Sequence, residues 1–208
     1  MAGTAIAVLA VAAAGCGDDS SPGANESSDT YEVKVITAEF PAKQRLGETS
    51  LMRIGVRNSG DKTVPSLTVT IFVAGKEGEA SSLPFGIRSP EPGLAQPDRP
   101  VWVLSEHYPR IAGSDERAGA ENSSINTFDF GPLKPDETTE AVWKLSAVKT
   151  GNFTLRYEID ASLSGAAKAE TAEGDQPGGS FPAQISATPP DTIVTDSGEV
   201  VTIPQKAK

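Results

Sequence analysis

The 208-residue chain is poor in the side chains on which most site chemistry depends. It has one cysteine, Cys16, so no disulfide can close within the chain and the fold must be held by apolar burial. It has one histidine, His107, and two methionines, whereas zinc and copper centres need two or more His or Cys ligands. A serine-type triad would have to recruit His107, yet no Gly-x-Ser-x-Gly elbow accompanies it. A glycosidase needs only two of the 28 acidic residues, but nothing in the sequence marks the cleft that would hold them. No phosphate-cradling Gly loop, basic stripe or heptad repeat is present. Bases are outnumbered 18 to 28, and a net charge of −10 argues against nucleic acid and against attraction to an anionic membrane surface. The expectation is therefore a non-enzymatic chain with no catalytic residues, no metal, no cofactor and no nucleic-acid partner.

Long apolar runs are also missing, except one at the very start. Residues 1–17, ending Ala13-Ala14-Gly15-Cys16-Gly17, are uncharged and mostly Ala, Val, Ile and Leu. The run is short for a bilayer span and stops at small residues, as a secretory signal does before its cleavage site. Ala13-Ala14-Gly15-Cys16 resembles the lipobox of bacterial lipoproteins. The resemblance implies cleavage between Gly15 and Cys16, a signal peptide over 1–15, and a diacylglyceryl group on the Cys16 sulfur. The protein would then be exported and anchored to membrane lipid at the extracytoplasmic face of the cell membrane. Each buried methylene of such a chain contributes roughly 0.8 kcal/mol, so two chains hold persistently where one does not. Signals usually open on Lys or Arg and Met1-Ala-Gly-Thr4 has neither, which points to a true start upstream. Cleavage removes no charged residue.

Residues 16–30 carry Asp18, Asp19, Glu26 and Asp29 without a base, among Ser, Gly, Pro and Asn, and read as a disordered acidic tether. From Tyr31 the hydrophobic period becomes two. Tyr31, Val33 and Val35 alternate with polar neighbours up to the Phe40-Pro41 break, as do Met52, Ile54 and Val56. Past the Asn58-Ser-Gly-Asp-Lys62 turn, Leu67, Val69, Ile71 and Val73 share one face. A second block opens at Pro100-Val-Trp-Val-Leu104 and resumes at Asn126–Phe130. Ala141, Trp143, Leu145 and Ala147 then alternate, and so do Phe153, Leu155, Tyr157 and Ile159 beyond Thr150-Gly-Asn152, which predicts a hairpin. Ala166–Ala172 is expected to pair with Phe181–Ile185, and residues 187–208 to form a tail or small hairpin.

Together these predict an all-β, Ig-like antiparallel β-sandwich of about seven to nine strands over residues 31–186, interrupted by a long inserted loop at 84–124. The run Leu51–Ile71, and Gly131–Leu145 with Thr150–Tyr157, resemble bacterial Ig-like surface domains of the CARDB (cell-adhesion-related) kind. That resemblance implies the fold and leaves the ligand open, because such sandwiches host unrelated roles. Long loops in compact domains are where function concentrates. In the insertion, Trp102, His107, Tyr108 and Arg110 fall within nine positions, and Trp, Tyr and Arg are enriched at binding hot spots. They are the candidate contact residues, for an envelope protein or a glycan. The opposing expectation is that Trp102 is a core residue. The functional expectation is a lipid-anchored binding or adhesion module at the cell envelope, with an accessory subunit of an envelope complex as the alternative and an extracellular hydrolase further behind.

Overall fold

The computed structural model describes residues 28–75, 85–86, 100–118, 121–122, 126–198 and 200–202. The signal-like segment, Cys16, most of the tether and parts of the 84–124 insertion lie outside the described residues. In chain order the strands are β1 (Thr30–Glu39), β2 (Lys43–Arg45), β3 (Thr49–Asn58), β4 (Thr68–Val73), β5 (Phe85–Gly86), β6 (Trp102–Leu104), β7 (Arg110–Ile111), β8 (Glu121–Asn122), β9 (Thr127–Asp129), β10 (Thr138–Ala147), β11 (Gly151–Asp160), β12 (Lys168–Glu170), β13 (Gly178–Ser186), β14 (Thr192–Val194) and β15 (Val200–Thr202). They build two facing sheets. One has the order β12-β1-β3-β10-β6-β5, with β7 also on β10; the other has the order β2-β13-β11-β4-β9-β8. β14 and β15 pair only with each other.

Each long strand buries alternate residues because its pleat points successive side chains to opposite faces. Met52, Ile54 and Val56 of β3, Val69 and Ile71 of β4, Ala141, Trp143, Leu145 and Ala147 of β10, and Leu155, Tyr157 and Ile159 of β11 all lie in one core. Phe153 is half-buried at its margin. Two aromatic groups fill that core. Trp143 takes Phe128 and Phe130 edge-on at centroid distances of 6.1 and 5.4 Å, and Trp102 does the same with Phe40 and Phe153 at 5.6 and 6.0 Å. The Phe40-Pro41 break carries the chain from the first sheet to the second, where β2 runs parallel to β13. Asn58, fully buried at the end of β3, fixes the following turn. Its Nδ2 donates to the carbonyls of Lys62 and Leu133, both at 2.8 Å, and its Oδ1 accepts from Gly60 N–H at 3.0 Å.

Three expectations are corrected. β10 and β11 are not a hairpin: β10 pairs with β3 in the first sheet and β11 with β4 and β13 in the second, so Val148–Thr150 bridge the two layers. Their buried faces meet across the core, an arrangement alternation alone does not separate from a hairpin. Ala166–Ala172 contributes β12, but it runs parallel to the start of β1, while Phe181–Ile185 pairs with β11. In the insertion β6 falls in the expected block at Pro100–Leu104, but the rest is not loop alone: β5 pairs with β6, β7 extends the first sheet along β10 and β8 extends the second along β9.

Candidate functional site

The insertion reaches the sheet edge in a distinctive way. β6 and β7 occupy the same side of β10 in succession, with Leu104 opposite Leu145 and Arg110 opposite Val142. Five residues, Ser105–Pro109, therefore stand against only Trp143 and Lys144. The ladder closes on both sides of them, through Ser105 N–H to Lys144 O at 2.9 Å and Ala112 N–H to Glu140 O at 2.8 Å. The three-residue excess leaves the ladder, as in an enlarged bulge, with Glu106 and His107 exposed while Pro109 is buried, and bulges re-aim side chains. His107 at its tip has φ +63°, a left-handed conformation uncommon outside glycine. Strain of this kind persists only where neighbouring structure imposes it.

Tyr108 and Arg110 come together on this projection, the guanidinium carbon 4.5 Å from the ring centroid, a geometry worth about 0.5–1 kcal/mol at an exposed site. Arg110 Nη1 also meets Asp115 Oδ1 at 3.3 Å. The adjoining turn folds back through Ser114 N–H to Ile111 O at 3.0 Å and Ala118 N–H to Pro109 O at 2.8 Å, so residues 105–118 form one self-bonded unit. Beside it is a hollow of about 370 Å³ lined by Val103, Leu104, Ser105, Glu106 and Ser146. The unit presents an aromatic face, a guanidinium, an imidazole and carboxylates in a shallow setting. This suits recognition of a surface better than enclosure of a reacting group.

Of the four predicted contact residues, three gather here: His107 exposed, Tyr108 and Arg110 half-exposed. Trp102 does not. It is fully buried, its indole N–H donates to Gln44 Oε1 at 2.8 Å, and Gln44 is itself buried with its Nε2 on Pro41 O at 2.9 Å. Its place in the core follows from its area and from the one partner that satisfies its polar atom. Glu106 and Asp115 were not foreseen; acids are too frequent in this chain for their positions to stand out, although Asp115 lies five residues from Arg110. His107 has no hydrogen-bond or ion-pair partner among the described residues, and no group of three His, Cys, Asp or Glu that could hold a metal ion occurs among them. The two titratable groups that burial shifts upward, Tyr157 and Asp160, lie in the other sheet on β11. For Asp160, hydrogen bonds from Ala169 N–H and Gln176 and the charge of Lys168 oppose the shift without cancelling it.

No family profile matches the chain, and no curated protein is significantly similar to it. Among solved structures, the chain is similar to the CARDB domain of a Pyrococcus furiosus protein, at 10% identity and a TM-score of 0.44 over 77% of this chain and 99% of that one. A crystal structure of the same domain, in complex with di-metal ions, gives 12% identity and a TM-score of 0.40 over 76% and 93%. Native E. coli alpha-2-macroglobulin gives 16% identity and a TM-score of 0.39, with 77% of this chain on 7% of that one.

Proposed function

We propose that this protein is a non-enzymatic binding or adhesion module of the cell envelope, exported, held to membrane lipid through acylated Cys16, and engaging a protein or glycan with the 105–118 unit. The observation that carries the contact surface is the strand mismatch at the β10 edge, five residues against two, beside which Tyr108 and Arg110 stack together outside the core. Support also comes from where the aromatics go. Ten of the twelve belong to the core or pack against it, so Tyr108 is one of two that do not. The lipobox-like Ala13-Ala14-Gly15-Cys16 supports the anchor. A rigid sandwich carried on an acidic tether would display the unit away from the bilayer.

The test has two arms. Wild type should enter the detergent phase on partitioning, and Cys16→Ala should stay in the aqueous phase; equal partitioning of the two removes the anchor. Photo-crosslinking from position 108 in intact envelopes should yield a discrete adduct that is lost in Arg110→Ala while the melting temperature is kept. If the adduct is absent, or is insensitive to Arg110→Ala, the contact surface lies elsewhere.

A further inference from the structure

The opposite edge of the first sheet carries a recessed slot. It lies on the β12 line, four strand spacings from β6, roughly 19 Å. β12 accompanies β1 in parallel only where Thr30–Glu32 face Lys168–Glu170. β1 runs on to Glu39, yet among the described residues no strand pairs with it on this side beyond Glu32. A register shift between Val35 and Thr37 interrupts the edge soon afterwards, so a further strand could follow β1 only beside Val33–Val35.

At Thr171 the chain leaves the β12 line. A tight turn, with Thr171 N–H on Asp175 O and Gly174 N–H on Thr171 O, both at 2.9 Å, carries it off and back through Pro177 into β13. Between this turn and β1 is a groove of about 520 Å³, whose lining includes Val33, Val35, Ser59, Thr171, Ala172 and Pro177. A second uncovered edge lies nearby on β13, because β2 pairs only with Gln184–Ser186. That edge is blunted. Gln184 N–H points to that side, onto Ala42 O at 2.8 Å, so the next donor there would come from residue 182, which is proline.

We propose that the groove is a docking slot for one extended segment of a partner polypeptide, which adds beside Val33–Val35 as the collinear continuation of β12. A strand edge offers alternating N–H and C=O groups, and another main chain is the ligand that matches them. β12 already occupies the first three positions of the same edge and sets the axis and direction. The slot's three residues span about 10 Å, enough for a short peptide stretch and too little for a long strand from a second copy. Half-buried Val35 with Ala172 and Pro177 receives an apolar side chain of the incoming segment, while its neighbours along the strand point outward beside Glu32 and Lys34.

The experiment pans a random seven-residue peptide library against the full chain. Enriched peptides should shift the amide resonances of Val33–Val35 and Thr171–Gly178. They should lose about tenfold in affinity when the alternate amides facing β1 are N-methylated, as expected for two lost hydrogen bonds. Ala172→Trp, at an exposed turn position, should fill the groove and abolish binding without lowering the melting temperature. Tyr108→Ala with Arg110→Ala should leave peptide binding unchanged, which separates this slot from the 105–118 unit. The proposal is overturned if no sequence is enriched, if binding survives both N-methylation and Ala172→Trp, or if the chain dimerises through β1 and Ala172→Trp abolishes the dimer.

Discussion

Replacing Trp102 by Phe tests whether the insertion is stitched into the core. The indole N–H of Trp102 is the donor on buried Gln44 Oε1, at 2.8 Å, and its ring meets Phe40 and Phe153. Phenylalanine keeps an aromatic ring but removes the donor and part of the volume. An orphaned buried acceptor costs about 1–3 kcal/mol. Lost packing adds on the order of 1–2 kcal/mol, the scale of a small core truncation. A loss of about 2–5 kcal/mol is a large share of a total stability of roughly 5–15 kcal/mol. Gln44→Leu makes the reverse defect, leaving the indole N–H unpaired at about 1–3 kcal/mol. With both changes neither member of the indole–amide bond is left unpaired, and the loss of the Gln44 bond to Pro41 O is common to single and double, so the double variant should be more stable than the sum of the singles predicts, by about 1–3 kcal/mol. Urea unfolding followed by fluorescence reads this directly, because buried Trp143 remains as the probe. Additivity within about 0.5 kcal/mol would refute the bond, and a costless Trp102→Phe would refute the burial.

Three further outcomes follow from particular contacts. A Cβ at Gly178 would stand 2.5 Å from the Tyr157 carbonyl oxygen, and one at Gly179 would stand 2.6 Å from the Tyr157 hydroxyl. Each Gly→Ala change should cost about 1–3 kcal/mol in thermal unfolding, Gly178 more because a ladder backbone yields less than a ring. Burial raises the pKa of Asp160 above the usual carboxylate value, so the folded chain holds that proton more tightly than the unfolded one. The resulting stability is complete below the unfolded value of about 3.9 and is lost as pH rises through the folded value. Asp160→Asn, which keeps an acceptor for Ala169 N–H, should therefore gain over wild type in melting temperature as pH rises through that window; a gap that narrows contradicts the assignment. Finally, β14 and β15 pair with each other alone, and Ile193 and Val194 are exposed. Ending the chain at Pro190 should leave the melting temperature of the sandwich unchanged, whereas a clear drop would mean the hairpin is packed on it.

Alternation made the inward faces legible because the two-residue period is a property of the strand itself. Which sheet a strand joins is not. The alternating runs of β10 and β11, separated by the three residues Val148–Thr150, are written the same way whether they pair side by side or face each other across the core. The second case holds here because β3 and β6 already flank β10 while β4 and β13 flank β11. β12 was obscure for another reason. Its alanine-rich sequence has no strong preference of its own, and its partner, the start of β1, lies far away in sequence, so tertiary pairing decides its state.

The contact residues divide along a similar line. Trp102 and Tyr108 are six positions apart and both amphipathic, so composition alone ranks them equally as anchors. Their fates differ because the strand that carries Trp102 keeps register with β10, while the five residues that follow it exceed by three what fits opposite Trp143 and Lys144. Burial of Trp102 thus follows from the register of β6 on β10, and half-exposure of Tyr108 from the mismatch in length just beyond it. That mismatch takes Tyr108 out of the ladder, together with His107 and the arm leading to Arg110. Deleting residues that relieve the surplus would draw Tyr108 toward the ladder without touching the core contacts of Trp102, so the display of the projection is separable from the stability of the sheet that produces it.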